Sequence, residues 1–150
     1  MMLIICDKNP YIATNYLYHH TNKNFWFKQL LELAQLICSC GYSDVYKPIK
    51  QGKAIQAWIK DNKEWVAAYF SDLLYCYAYH QIKMKPKTFD DLQGIYNSIN
   101  DETDYIEPKT AVFRFKQGYV CDYTTNSELP IETACNEYKK YLDWKFKSNG

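Results

Sequence analysis

Arginine and glycine are both scarce in this sequence, and each shortage argues against a class of function. Of its 18 lysine and arginine residues, only Arg114 is an arginine. Sequence-specific DNA readers rely on arginine for bidentate contacts to bases and phosphates, so this composition does not favour such a reader. The five glycines form no Gly-rich phosphate loop and no Gly-x-Ser-x-Gly elbow, so neither a backbone cradle for nucleotides nor a serine hydrolase is expected.

Long apolar runs are also missing. The run that opens the sequence, residues 1–6, is too short for a membrane span and has no basic flank typical of a signal peptide. We therefore expect no membrane partner and an intracellular location. The preference for lysine over arginine, with abundant asparagine, isoleucine and tyrosine, is typical of AT-rich genomes such as those of many viruses. For a viral protein the location would be the host cytoplasm, nucleoid or nucleus.

The six cysteines are scattered through apolar surroundings and include no Cys-x-x-Cys pair. The spacing Cys38-Ser39-Cys40 could hold a metal or carry redox chemistry, but no second pair accompanies it. We interpret the cysteines mainly as buried free thiols. No metal site and no cofactor are predicted.

The hydrophobic pattern predicts a mainly α protein: one helical-bundle domain over residues 1–150, with five to six helices and a small β-hairpin. An extended segment or short strand is expected over residues 1–6. The predicted helices cover residues 10–18, 25–40, 54–60, 62–82, 88–99 and 130–147. The predicted hairpin pairs residues 112–115 with residues 119–121.

The helix over residues 25–40 has the clearest apolar face, and its other face carries a polar stripe. Lys28, Glu32 and Gln35 are spaced i, i+4 and i+7, which aligns them on one side of the helix. The Lys28–Glu32 spacing is also that of an ordinary surface ion pair. The stripe is therefore either a solvated face or a functional site.

Positive charge is concentrated early in the chain. Residues 1–60 carry a net charge of +4, whereas residues 88–110 carry −5. Lysines alternate with aromatic residues in the basic part, a composition that suits nucleic-acid contacts without sequence preference, although most of these rings could equally belong to the core. The residues assigned to nucleic-acid binding are Gln35, Lys47, Lys50, Lys53 and Trp58.

The segment from Lys28 to Leu36 resembles small phage and bacterial proteins labelled pyrimidine-dimer DNA glycosylase-like, whose first strong helix carries a Lys-x-x-x-Glu-x-Ala-Gln-Leu pattern. The resemblance implies a DNA repair enzyme acting on duplex DNA, in which an amine attacks the sugar and a carboxylate assists. It makes Glu32 the carboxylate. The amine would come from Lys28, Lys23 or the chain terminus.

Two other interpretations remain open. The 15 tyrosines could furnish the contact surface of a non-catalytic viral or accessory module that binds a host or viral protein. Alternatively, His19, His20 or His80 could work with Asp72 in a small-molecule enzyme. That interpretation requires one pocket that joins these residues.

Overall fold

The apolar N-terminal segment is buried in the core of the protein. In the computed structural model, which describes residues 2–147, residues 2–6 are buried and belong to no helix or strand. The side chain of Gln29 satisfies part of their backbone: the Ile4 amide donates to Gln29 Oε1 at 2.6 Å, and Gln29 Nε2 donates to the Met2 carbonyl at 3.0 Å. The buried Gln29 side-chain amide thus provides hydrogen bonds that a neighbouring strand would otherwise supply.

Most of the described chain is helical. The helices are α1 (Pro10–His20), α2 (Lys23–Ser39), α3 (Lys53–Asp61), α4 (Lys63–Ser71), α5 (Tyr79–Gln81), α6 (Pro86–Ile99) and α7 (Ile131–Lys147), with a π-helical segment (Asp72–Ala78) between α4 and α5. Helix α1 starts as the sequence predicts, because the Asn9 side chain accepts from the amides of Tyr11 and Ile12 and Pro10 occupies the first turn.

Helix α2 packs against α1, α3, α6 and the π-helical segment. It ends in a Schellman motif: the Gly41 amide donates to Cys38, the Tyr42 amide donates to Ile37, and Gly41 has φ of +89°. A left-handed conformation of this kind suits glycine, so the predicted end of the helix is confirmed to within one residue.

The helix predicted over residues 62–82 is interrupted. The backbone is α-helical up to Ser71, π-helical over Asp72–Ala78 and α-helical again over Tyr79–Gln81. Each π-turn holds more residues than an α-turn, so the buried face shifts. Leu74 and Ala78 are buried, while Cys76 is exposed.

Helix α6 begins earlier than predicted. The predicted helix starts at Thr88, but in the structure Lys85 precedes the helix and Pro86 occupies its first turn. Asp91 accepts an exposed i,i+4 contact from Lys87 at 3.5 Å. Proline at the first helical position was the stronger signal.

The hairpin exists, but one of its predicted strands was wrong. Strand β1 (Thr110–Phe113) pairs antiparallel with β2 (Ser127–Pro130), with Thr110 opposite Pro130. The predicted turn at 116–118 does form, since the Tyr119 amide donates to the Lys116 carbonyl at 3.1 Å. Residues 119–121 lie outside the sheet, and the Tyr119 ring packs against the aromatic side chains of Tyr141 and Trp144 on α7.

The elements surround one hydrophobic core, which confirms the predicted mainly helical single domain with a small hairpin. Strand β2 runs directly into α7, and α7 packs on both strands. The segment between the strands, residues 114–126, is thereby held close to α7. Among the described helices, none has both the length and the apolar character that crossing a bilayer requires.

Candidate functional site

The polar stripe of α2 borders a small cavity beside the N-terminal segment. Lys28 and Glu32 line this cavity with Lys116 and Tyr141. The remaining lining residues are Met2, Ile4, Phe25 and Gln29. We call it the Glu32 pocket. Its volume is about 10 Å³, room for about one water-sized group.

Gln29 fixes one wall of the Glu32 pocket. In addition to its two bonds with residues 2–4, its Oε1 accepts from the Tyr69 hydroxyl at 3.1 Å. Gln29 and Tyr69 are both buried. The wall beside Lys28 and Glu32 is therefore rigid, since moving it would break several buried hydrogen bonds.

The two lysines of the pocket influence each other. The Lys116 ammonium beside Lys28 lowers the pKa of Lys28, burial adds a smaller effect, and the Glu32 carboxylate partly opposes both. Lys28 remains exposed to solvent, and Glu32 is half-buried. The pocket thus combines an accessible amine, a second positive charge and a carboxylate one helical turn away.

Tyr141 contributes a hydroxyl with no hydrogen-bond partner among residues 2–147. Its side chain is fully buried. Burial, reinforced by the Glu32 carboxylate, raises the pKa of Tyr141 to about 12. The hydroxyl therefore stays protonated near neutral pH and can donate to an acceptor in the pocket.

A larger groove adjoins the Glu32 pocket and shares Lys116 and Tyr141 with it. Its other lining residues are Gln117, Trp144 and Lys145, and its volume is about 250 Å³. We call it the Trp144 groove. Lysine is the only charged residue type in its lining, so the groove suits an anion.

The lysines predicted at other positions, and Gln35, lie outside this pair of cavities. Lys23 is exposed at the first position of α2 and lines neither cavity. Gln35 donates through Nε2 to the Lys47 carbonyl, which ties α2 to the following loop. Lys50 and Lys53 are exposed at the end of that loop and at the start of α3.

Trp58 cannot serve as the stacking residue that the sequence indicated. It is 5% exposed, and its indole nitrogen donates to the Thr110 carbonyl at 2.7 Å. Its ring also packs edge-on against Trp65, with ring centres 5.4 Å apart. Trp58 therefore belongs to the core, where it joins α3 to the hairpin.

The histidines have separate surroundings. His19 packs against Tyr18, His20 stacks on Tyr16, and His80 contacts Tyr79. These rings line neither the Glu32 pocket nor the Trp144 groove, nor three further pockets among the described residues. The Asp72 carboxylate accepts a hydrogen bond from the Thr14 hydroxyl. This arrangement gives no support to a histidine–Asp72 site.

The cysteines are unpaired throughout. Cys6, Cys38 and Cys135 are buried, Cys40 and Cys121 are half-buried, and Cys76 is exposed. Within residues 2–147, no group of three or more histidine, cysteine or acidic side chains could hold a metal ion.

Comparison with known proteins adds no further guide. No protein-family model, curated protein or solved structure matches this chain.

Sequence reasoning identified Lys28 and Glu32 but missed Lys116, Tyr141 and Trp144. Part of the signal was present, because Tyr141, Trp144 and Lys145 are spaced i, i+3 and i+4 on α7, which groups them on one side of the helix. Their meeting with α2 depends on how α7 packs.

Proposed function

We propose that this protein binds DNA across the Glu32 pocket and the Trp144 groove, and that Lys28 and Glu32 act together on the sugar of a damaged nucleotide. The observation that carries the proposal is the lining of one pocket by Lys28, Glu32, Lys116 and the unpartnered Tyr141. The resemblance to dimer glycosylase-like proteins, whose pattern over Lys28 to Leu36 includes both α2 residues of the pocket, supports the same class of substrate.

Charge supports DNA as the ligand. Lys116 and Lys145 line the two adjoining cavities, and both can neutralise a phosphate. The Tyr141 hydroxyl adds a donor for a water-sized group in the Glu32 pocket. Lysines contact phosphates without reading sequence, which agrees with the scarcity of arginine.

The pairing of an amine with a carboxylate supports chemistry at an abasic sugar. The neutral Lys28 amine attacks C1′ of the ring-opened sugar, and loss of water gives an imine. Glu32 then takes a proton from C2′, the C3′–O bond breaks, and the 3′ phosphate leaves with the bonding electrons. Water hydrolyses the imine and restores the Lys28 amine.

Reductive trapping on a duplex with a single abasic site tests the chemistry. The intact protein should form a covalent adduct and cleave the strand. Lys28→Met should abolish most of the adduct. Glu32→Gln should still form the imine but slow strand cleavage roughly 100-fold, the usual size of a lost general base.

Lys23→Met is the matched control, because it removes an exposed lysine of the same helix that lies outside the pocket. Its adduct yield should equal that of the unaltered protein. A Lys28→Met variant that traps as efficiently as Lys23→Met would contradict the proposed role of Lys28. The amine at the chain terminus, which lies outside the described residues, would then become the leading nucleophile.

A second candidate function is binding of another protein, favoured by an apolar patch around the start of α1. Tyr11, Ile12 and Ile106 are 50%, 53% and 85% exposed, and the Tyr11 ring contacts Tyr105 beside Ile106. Exposed apolar groups of this kind are common at interfaces. Light scattering and affinity capture from host lysate test this protein-binding function, with Ile106→Asp compared against the intact chain. A monomer that captures no protein would contradict the function.

A further inference from the structure

Trp144 differs from the other tryptophans in being accessible. Trp26, Trp58 and Trp65 are each at most 5% exposed, whereas Trp144 is 45% exposed on α7. Burying a tryptophan ring is strongly favourable, so a half-exposed one forgoes much of that stabilisation. Half-exposed tryptophan rings are typical of binding surfaces, where tryptophan is enriched.

Neighbouring aromatic residues hold the Trp144 ring in place. The ring centre lies 5.2 Å from that of Tyr119 and 5.8 Å from that of Tyr141. Tyr141 is fully buried and Tyr119 is half-buried. An aromatic surface fixed in this way loses little conformational entropy when a flat ligand stacks on it.

Positive charge flanks the same ring. Lys116 and Lys145 line the Trp144 groove with it, and Lys145 Nζ also lies over the Phe25 ring at 5.4 Å from its centre. A stacking ring bordered by lysines is the arrangement that binds bases and phosphates of a single strand. A paired duplex keeps the faces of its bases inside the stack, so it cannot offer them to Trp144.

We infer that Trp144 stacks on an unpaired base of single-stranded DNA while Lys116 and Lys145 contact the adjoining phosphates. The inference rests on the proposed function only in taking DNA as the ligand. The groove shares Lys116 and Tyr141 with the Glu32 pocket, so a bound strand would continue from the stacked base toward Lys28. The groove volume of about 250 Å³ lies near the lower end for small-molecule sites, which suits one nucleotide.

The direct test follows tryptophan emission of the intact protein during titration with undamaged oligothymidylate of about eight nucleotides. Stacking should quench the emission and protect it from acrylamide, and Trp144 should carry both changes because the other three rings are buried. A duplex of the same length should quench far less. Equal quenching by the duplex, or none by the single strand, would overturn the inference.

Variants measured by anisotropy of a labelled oligothymidylate provide an independent readout. Trp144→Leu should weaken binding roughly tenfold, the usual effect of losing one stacked base. The affinity of Trp144→Phe should lie between those of the intact protein and Trp144→Leu, because phenylalanine keeps an aromatic face. Tyr79→Leu is the matched control, since Tyr79 is 53% exposed on a different helix. Affinities for Trp144→Leu and Tyr79→Leu within twofold of the intact protein would overturn the inference.

Free thymidine monophosphate separates a strand site from a nucleotide site. The inference requires the oligothymidylate to bind more tightly than the monophosphate, and equal affinity would contradict it. Undamaged DNA carries no aldehyde, so stacking and imine trapping can fail separately. Quenching without trapping would support Trp144 as a strand-binding residue and contradict the role of Lys28. Trapping with unaltered Trp144 emission would support the role of Lys28 and contradict stacking on Trp144.

Discussion

Two tyrosines on α7 show how differently one residue type can be used. The Tyr138 hydroxyl donates to the Val112 carbonyl and accepts from the Arg114 amide, which fixes α7 to the first strand of the hairpin. The Tyr141 hydroxyl, one turn further on, has no partner within the described residues. A buried hydroxyl without a partner lowers stability, so its presence requires a reason outside the core.

The two hydroxyls should therefore respond oppositely to removal. Tyr138→Phe should lower the free energy of unfolding by about 1–3 kcal/mol, because it leaves a buried carbonyl unpaired. Tyr141→Phe should leave the stability unchanged or raise it, because no hydrogen bond is lost. Urea unfolding of both variants checks this, and a loss for Tyr141→Phe equal to that for Tyr138→Phe would mean that Tyr141 has a structural partner.

The pKa of Lys28 gives a prediction about pH. Lys116 lowers that pKa, so the reactive neutral amine appears at a lower pH than for an isolated lysine. Lys116→Met should raise the pKa of Lys28 toward its ordinary value. The midpoint of the pH profile for imine trapping should then move to higher pH.

Lys145→Met is the appropriate control for that profile. It removes a positive charge from the adjoining groove, but Lys145 is not among the causes of the lowered pKa of Lys28. Its profile should keep the midpoint of the unaltered protein. Identical midpoints for Lys116→Met and the unaltered protein would contradict the coupling of the two lysines.

At the scale of elements, local signals predicted helices well where they were strong. Asn9 with Pro10, and Gly41 after an apolar helix face, gave the start of α1 and the end of α2 to within one residue. The π-helical segment, Asp72–Ala78, had no comparable signal. Its extra residues per turn arise from packing against α1 and α2, which a single-sequence periodicity cannot register.

The prediction of the second hairpin strand was wrong for a related reason. Residues 119–121 have strand-like composition and follow a correctly predicted turn, but the Tyr119 ring is stabilised on Tyr141 and Trp144 of α7. Strand β1 pairs instead with Ser127–Pro130, beyond a longer connection. Tertiary contacts of one aromatic side chain outweighed local strand propensity.

Two glycines offer a paired test of element geometry. Gly52 precedes α3 with φ of +76°, and a Cβ there would lie 3.3 Å from Leu36 Cδ2. Gly94 is exposed within α6, and a Cβ there would meet nothing within 4 Å. Gly52→Ala should destabilise the protein by about 1–2 kcal/mol, because the left-handed conformation is unfavourable for alanine.

Gly94→Ala should stabilise the protein by about 0.5–1 kcal/mol, because alanine is the better helix former. Thermal or urea unfolding of the two variants in parallel measures both effects. Two changes of the same sign would show that the backbone around one of these glycines differs from the conformation described.

At the scale of the whole molecule, the candidate site depends on three parts of the chain that are distant in sequence. Helix α2 supplies Lys28 and Glu32, the segment between the strands supplies Lys116, and α7 supplies Tyr141 and Trp144. Helical periodicity could single out the first pair. Their meeting with the others follows from β2 running directly into α7 and from α7 packing on the hairpin.

The charge pattern was informative only in part. The early lysines made an anionic partner plausible, yet Lys47, Lys50 and Lys53 lie outside the two cavities that join α2 to α7. The lysines that do line the cavities with Lys28 are Lys116 and Lys145, from the second half of the chain. Their contribution to nucleic-acid binding should appear as a decrease in affinity with rising salt.

Peptide mapping of the protein after reductive trapping on abasic duplex DNA tests the proposed role of Lys28 most directly. We predict that the covalent adduct lies on Lys28, the exposed amine that shares the Glu32 pocket with Lys116 and Tyr141. An adduct on the amine of the chain terminus, an adduct spread over surface lysines such as Lys23 and Lys50, or the absence of any adduct would contradict this role of Lys28.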